Sequence, residues 1–150
     1  MDHSDIYNHF SQRNIYGLEA DASEAFKNLK DCMKSLGESE DSFFGLAAMI
    51  FHIFTDSTPS NKELVFIKHV YSNNGYDVDL ERFKTHHAEA RANAEDFIKH
   101  VVSFIAKNVD SGLKSFLGVL AISTAAVKGY IGAMDKIYHT EILDGWERYY

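Results

Sequence analysis

Two acids bracket a short polar turn in the stretch FTDSTPSNKE, residues 54–63. Asp56 opens the turn and Glu63 closes it. Carboxylates between two helices suit two kinds of chemistry. Joined by the hydroxyls of Ser57 and Thr58 and by carbonyls at a helix end, they can ligate a hard divalent cation, which takes oxygen donors. Alternatively, SNKE is a capping box, with Ser60 at the N-cap and Glu63 three residues on, each satisfying the other's backbone donor. Asp56 is then a helix-end acid with no ligand. Pro59, the only proline, fits the turn under either reading.

The same plan recurs downstream. FFGLAAMIFHIFTDSTPSNKELVFIKHVY is an apolar helix, a short turn and an amphipathic helix, and so is FLGVLAISTAAVKGYIGAMDKIYHTEIL. Laying Phe44 on Phe116 brings Ile50 onto Ile122, Asp56 onto Lys128, Glu63 onto Asp135 and Val65 onto Ile137. Identities are few, but residue class and turn position match. An internally duplicated helical hairpin leaves such a pattern, and so do two unrelated hairpins.

These two stretches resemble the TerB-like domains named for a tellurite-resistance protein. That family's pattern is an apolar helix ending in small residues, then Asp-Gly, an apolar position, and a Glu seven places after the Asp, once in each half. Here Asp56 holds the Asp place, Ser57 replaces the glycine and Glu63 falls seven on. In the second copy Lys128 holds the Asp place, Gly129 keeps the glycine, Ile131 is the apolar position and Asp135 stands for the Glu. The resemblance covers residues 41–145. It implies an all-α fold in which the two turns approach each other, membership of stress-response systems linked to tellurite, phage or metal stress, and turn acids that bind divalent cations.

Lys128 departs most from that pattern. Asp56, Glu63 and Asp135 together supply three carboxylates for Ca²⁺, Mg²⁺, Mn²⁺ or Zn²⁺. An ammonium beside them repels a metal by about 4 kcal/mol per pair of unit charges at 4 Å and an effective dielectric of 20, and a divalent ion doubles that. The expectation is that the Lys128 ammonium takes the cation's place and pairs with Asp56 or Glu63.

Eight histidines raise a metalloenzyme as an alternative, but the Glu-x-x-His of di-iron bundles is missing. Asp96 with His100 and Asp135 with His139 have the spacing of helix-surface ion pairs. His86 and His87 are adjacent, so they diverge by about 100° on a helix. His52 lies in an apolar helix as a satisfied core or boundary histidine, and as a pH-sensitive weak point. The sequence contains no G-x-S-x-G, phosphate loop or Cys-x-x-Cys. Cys32 falls on an apolar helix face as a small hydrophobe.

The elements that hold these residues read as helices throughout. One proline and nine glycines in 150 residues leave few breaks. Helices are expected from Asp21 to Gly37, from an Asp41 cap to the Asp56 turn, and from Ser60 to Gly75. A long stretch from an Asp79 cap to Asn108 bends near residues 92–94. The last two helices run from Asp110 to near Gly129 and onward with Ile137, Tyr138, Ile142 and Trp146 inward. A short helix around Ile6 to Phe10 lies in a peripheral segment, 1–20. Trp146, Tyr149 and Tyr150 either pack back onto the bundle or seal a homodimer.

The net charge of −7 argues against a nucleic-acid partner, and no apolar run approaches the length of a membrane span. The N-terminus lacks the plan of a signal peptide, and the single cysteine is compatible with a cytoplasmic location. The expectation is one all-α domain over 1–150, a helical bundle with two pseudo-repeated hairpins. It is a non-enzymatic binding, adaptor or sensor domain with a protein partner. The alternatives are a metal-dependent helical-bundle enzyme or a structural homodimer.

Overall fold

A computed structural model describes residues 2–149, and Tyr150, expected at a sticky C-terminus, lies outside them. Among the described residues the chain forms eight α-helices and no strand: α1 Ser4–Ser11, α2 Ile15–Ser35, α3 Glu40–Phe54, α4 Asn61–Asn73, α5 Leu80–Ala92, α6 Ala94–Lys107, α7 Leu113–Ala126 and α8 Ala133–Asp144. Short 3₁₀ turns cover Val109–Ser111 and Gly145–Tyr149. The all-α expectation holds.

Local polar chemistry sets most of the starts. The Asn14 side chain accepts from the Gly17 amide at 2.8 Å, so α2 begins six residues before the expected Asp21. Asp21 instead takes a two-point contact from Arg13, at 2.9 and 3.2 Å. Ser39 caps α3 in place of Asp41, which sits in the first turn and complements the helix dipole. Ser60 and Asp79 cap α4 and α5 as expected. The long stretch after Asp79 does break at residue 93, where the Asn93 amide NH₂ donates to the Glu89 carbonyl. Asp110 lies in a 3₁₀ turn, and α7 starts after Gly112, whose φ of +87° is left-handed backbone that glycine adopts at no steric cost.

Helix α7 is buried on nearly every side, from Leu113 through Leu117, Leu120 and Ala121 to Ala126. It packs most extensively on α2, and also on α1, α3, α4 and α8. The α2 stripe of Leu18, Ala22, Phe26, Leu29 and Met33 is buried with it in one core, joined by Phe43, Ile50, Phe51 and Phe54 of α3. Small residues set the spacing: a Cβ on Gly118 would come within 2.8 Å of the Leu143 side chain on α8.

Two expectations about the ends need correction. Segment 1–20 is not peripheral, because Leu18 belongs to the core and α1 buries Tyr7. Ile137 does not point inward; it is 54% exposed, and His139, two residues on, is buried instead. Ile142 is fully buried, and Tyr138 and Trp146 pack against the core.

Leu29 is fully buried in this core. Leu29→Ala is expected to cost about 2–5 kcal/mol in a denaturant melt, as leucine truncations in closed cores do. A loss under about 1 kcal/mol would show a looser α2 seat than the packing implies.

Candidate functional site

The turn between α3 and α4 is built around a buried carboxylate. Glu63 is 2% exposed. It accepts from the Ser60 amide at 3.0 Å, the Ser60 hydroxyl at 3.0 Å and the Asp56 amide at 2.9 Å. The Ser60 Oγ accepts in turn from the Glu63 amide at 3.1 Å. The capping box is therefore complete, and Glu63 also ties the start of the turn to its end. Those donors occupy both of its oxygens.

The turn between α7 and α8 repeats the arrangement with different groups. Asp135 Oδ2 accepts from the Gly132 amide at 3.0 Å, as an acid three residues into a helix does. The same oxygen accepts from Lys128 Nζ at 2.6 Å, and Lys128 also donates to the Ala125 carbonyl at 3.0 Å. Lys128 thus pairs with Asp135, not with Asp56 or Glu63 as expected. Its reach is used within its own hairpin, on an acid seven residues on and on an orphan carbonyl at the end of α7. In both turns a nitrogen at the first position meets an acid seven residues later: a backbone amide at 56, an ammonium at 128. Common descent of the two hairpins stays an expectation of the sequence.

The two turns share one electrostatic environment. Burial, then the Glu63 carboxylate, raises the Asp56 carboxyl above the usual carboxylate range; Asp135 adds to this, while Lys128 and Arg91 oppose it. The Asp56 carboxylate has no hydrogen-bond partner among the described residues. The adjacent Thr55 hydroxyl is buried without one as well. The described residues hold no group of three or more His, Cys, Asp or Glu arranged for a metal ion. Glu63 and Asp135 each act on the Asp56 carboxylate, but both already hold donors: Glu63 on its two oxygens and Asp135 on Oδ2.

Helix α5 supplies contacts that the sequence reading did not assign, from His87 and from Phe83 and Arg91. His87 Nε2 donates to the Asp56 carbonyl at 2.6 Å, and its Nδ1 meets His52 Nδ1 at 2.9 Å. His52 lies flat on Phe83, with ring centroids 3.9 Å apart. One turn further, the Arg91 guanidinium donates to the carbonyls of Ile53 (3.0 Å) and Thr55 at the end of α3. Phe83, His87 and Arg91 stand four residues apart, so one face of α5 clasps the end of α3. That spacing was the available signal. His86 is exposed and His87 buried, the divergence expected of neighbours on a helix.

A second histidine cluster fastens α1. His3 Nε2 lies 2.8 Å from Asp144, and the Tyr7 hydroxyl lies 3.2 Å from His139 Nδ1 and 3.1 Å from Thr140. His139 is therefore a core residue, not the surface partner of Asp135. No ion pair joins Asp96 to His100 among the described residues.

Burial holds His52 and His139 down at about 4, with His87 and His3 adding positive-charge repulsion. Because the unfolded chain takes up those protons near pH 6.5, these groups favour the fold above that pH. Their contribution falls as pH drops from about 6.5 toward 4. The melting temperature should fall over that window, and His139→Gln should flatten the slope; a temperature constant from about pH 7 to pH 4.5 would contradict the assignment.

Asp56 and Lys128 should respond in opposite directions. The raised Asp56 pKa means its charge costs stability at neutral pH, so Asp56→Asn should leave the melting temperature unchanged or raise it slightly. Lys128→Met leaves the Asp135 carboxylate, 14% exposed, without its ammonium and should cost about 2 kcal/mol. A destabilised Asp56→Asn would assign that carboxylate a favourable partner.

Comparison with protein-family models, with curated proteins and with solved structures finds no match for this chain. The likeness to TerB-like domains therefore rests on the residues of the two turns.

Proposed function

We propose that this chain is a non-enzymatic binding module of TerB-like type, an adaptor or sensor in a stress-response assembly, that engages a protein partner beside its second turn. The observation that carries this reading is an apolar stripe in solvent. Tyr130, Met134 and Ile137 are 60%, 53% and 54% exposed. Their spacing places Met134 and Ile137 on one face of α8, with Tyr130 just before it. Large apolar side chains that cluster in water favour interaction sites, and tyrosine and methionine are enriched at the centres of interfaces.

The committed carboxylates support an adaptor over a metal-dependent catalyst. Glu63 closes a capping box and Asp135 holds Lys128, so the ammonium fills the place that the family resemblance would give to a cation. The resemblance is the support for a stress-response setting. No helix of the described chain is long and apolar enough to cross a membrane.

The test is site-specific photo-crosslinking in the native cells, with a benzophenone side chain at position 134. A control places it at Glu81, whose side chain is 84% exposed on α5. Discrete adducts with another protein at position 134, absent at position 81 and lost in Ile137→Glu, are expected. Adducts of twice the chain mass would replace the adaptor with a homodimer. Equal labelling at both positions, or none at 134, would remove the stripe as an interface.

A further inference from the structure

A cavity of about 410 Å³ opens between α3, the end of α4 and α5, away from the α8 stripe. It falls within the size range of small-molecule sites. Ala48 lies on its α3 side, and Phe44, Tyr71 and Phe83 give it aromatic walls. Exposed charges lie only at its rim, where Asp77 and Asp79 outnumber Arg82, so the rim disfavours an anion.

Two buried polar groups line this cavity. His52 is 6% exposed and Tyr71 is 7% exposed. The hydrogen bonds of α5 fix what His52 offers. The Asp56 carbonyl can only accept, so His87 Nε2 carries the proton. A neutral His87 then has a bare Nδ1, which must accept from the Nδ1–H of His52. That leaves His52 Nε2 as a bare acceptor, and it has no partner among the described residues. His52 lines the cavity and His87 does not, and the two nitrogens of the His52 ring point away from each other. The Tyr71 hydroxyl also has no partner among the described residues, and burial pushes its pKa up to about 12, so it stays a donor. His52 is held at about 4 and stays neutral at physiological pH.

We infer that this cavity binds a small, planar, uncharged heteroaromatic molecule that donates an N–H to His52 Nε2 and accepts from the Tyr71 hydroxyl. Flat aromatic walls favour a ring, and the two polar groups demand both a donor and an acceptor on it. The buried walls hold no charged side chain, so an ion entering them would lose its water without a counter-charge.

Three fused rings of similar size separate these requirements. Benzimidazole carries both a donor and an acceptor, indole only the donor and quinoline only the acceptor. Each is titrated into the labelled protein at neutral pH and followed by NMR. Benzimidazole should shift the Ala48 and Phe83 amides and the His52 Nε2 resonance, with a Kd about tenfold below those of the other two, the worth of one hydrogen bond. Ala48→Phe, which fills the cavity and leaves both polar groups, should abolish the shifts. Tyr71→Phe should weaken benzimidazole to the level of indole. Equal affinity for all three rings, shifts centred on the separate groove lined by Met33, Met49 and Phe104, or no shifts at about 5 mM would overturn the assignment.

Discussion

Burying α7 on nearly every side constrains everything around it. A helix apolar all round cannot face water, so five others must cover it, and each must bring an apolar stripe of its own. The small residues Gly118, Ala121 and Ala125 let neighbours come close, and α8 passes near enough at Gly118 that even a methyl group would meet Leu143. The backbone polar groups at the ends of the buried helices then need partners from outside those helices. The side-chain chemistry of this protein gathers at those ends for that reason.

The end of α3 shows the consequence most fully. Its last carbonyls are taken by Arg91 from α5, His87 from α5 takes the Asp56 carbonyl just beyond, and Glu63 gathers the amides of the turn. A histidine pair, a guanidinium and a carboxylate are thus placed by the needs of a helix terminus. The end of α7 is served more simply, by Lys128, which Asp135 of the same hairpin holds in place. The first turn is consequently hydrogen-bonded from a third helix, whereas the side-chain hydrogen bonds of the second, among the described residues, stay within its own hairpin.

What could be read from sequence divides along the same line. The apolar stripes of α2 and α3, the Ser60–Glu63 capping box and the break near residue 93 are local, set by residues within a turn or two of each other. The α2 start differs because Asp21, like Asn14, is a residue type that caps helices; Asn14 lies earlier, and the apolar stripe continues back through Leu18. Lys128 was assigned to the wrong acid because the repeat alignment emphasised contacts between hairpins, whereas Asp135 is reachable within one. Ile137 was placed inward on the strength of its type alone. His87 and Arg91 act on a helix distant in sequence, and only their four-residue spacing from Phe83 hinted at a shared face.

The contact between His3 and Asp144 joins positions 141 residues apart at 2.8 Å. In space the chain is therefore close to a closed ring, with the entropy of bringing those distant segments together already lost in the native fold. A ring has no privileged opening point. The order in which the helices are synthesised is then separable from the order in which they pack, and a permuted chain cut in the exposed turn at Gly75 keeps every helix whole.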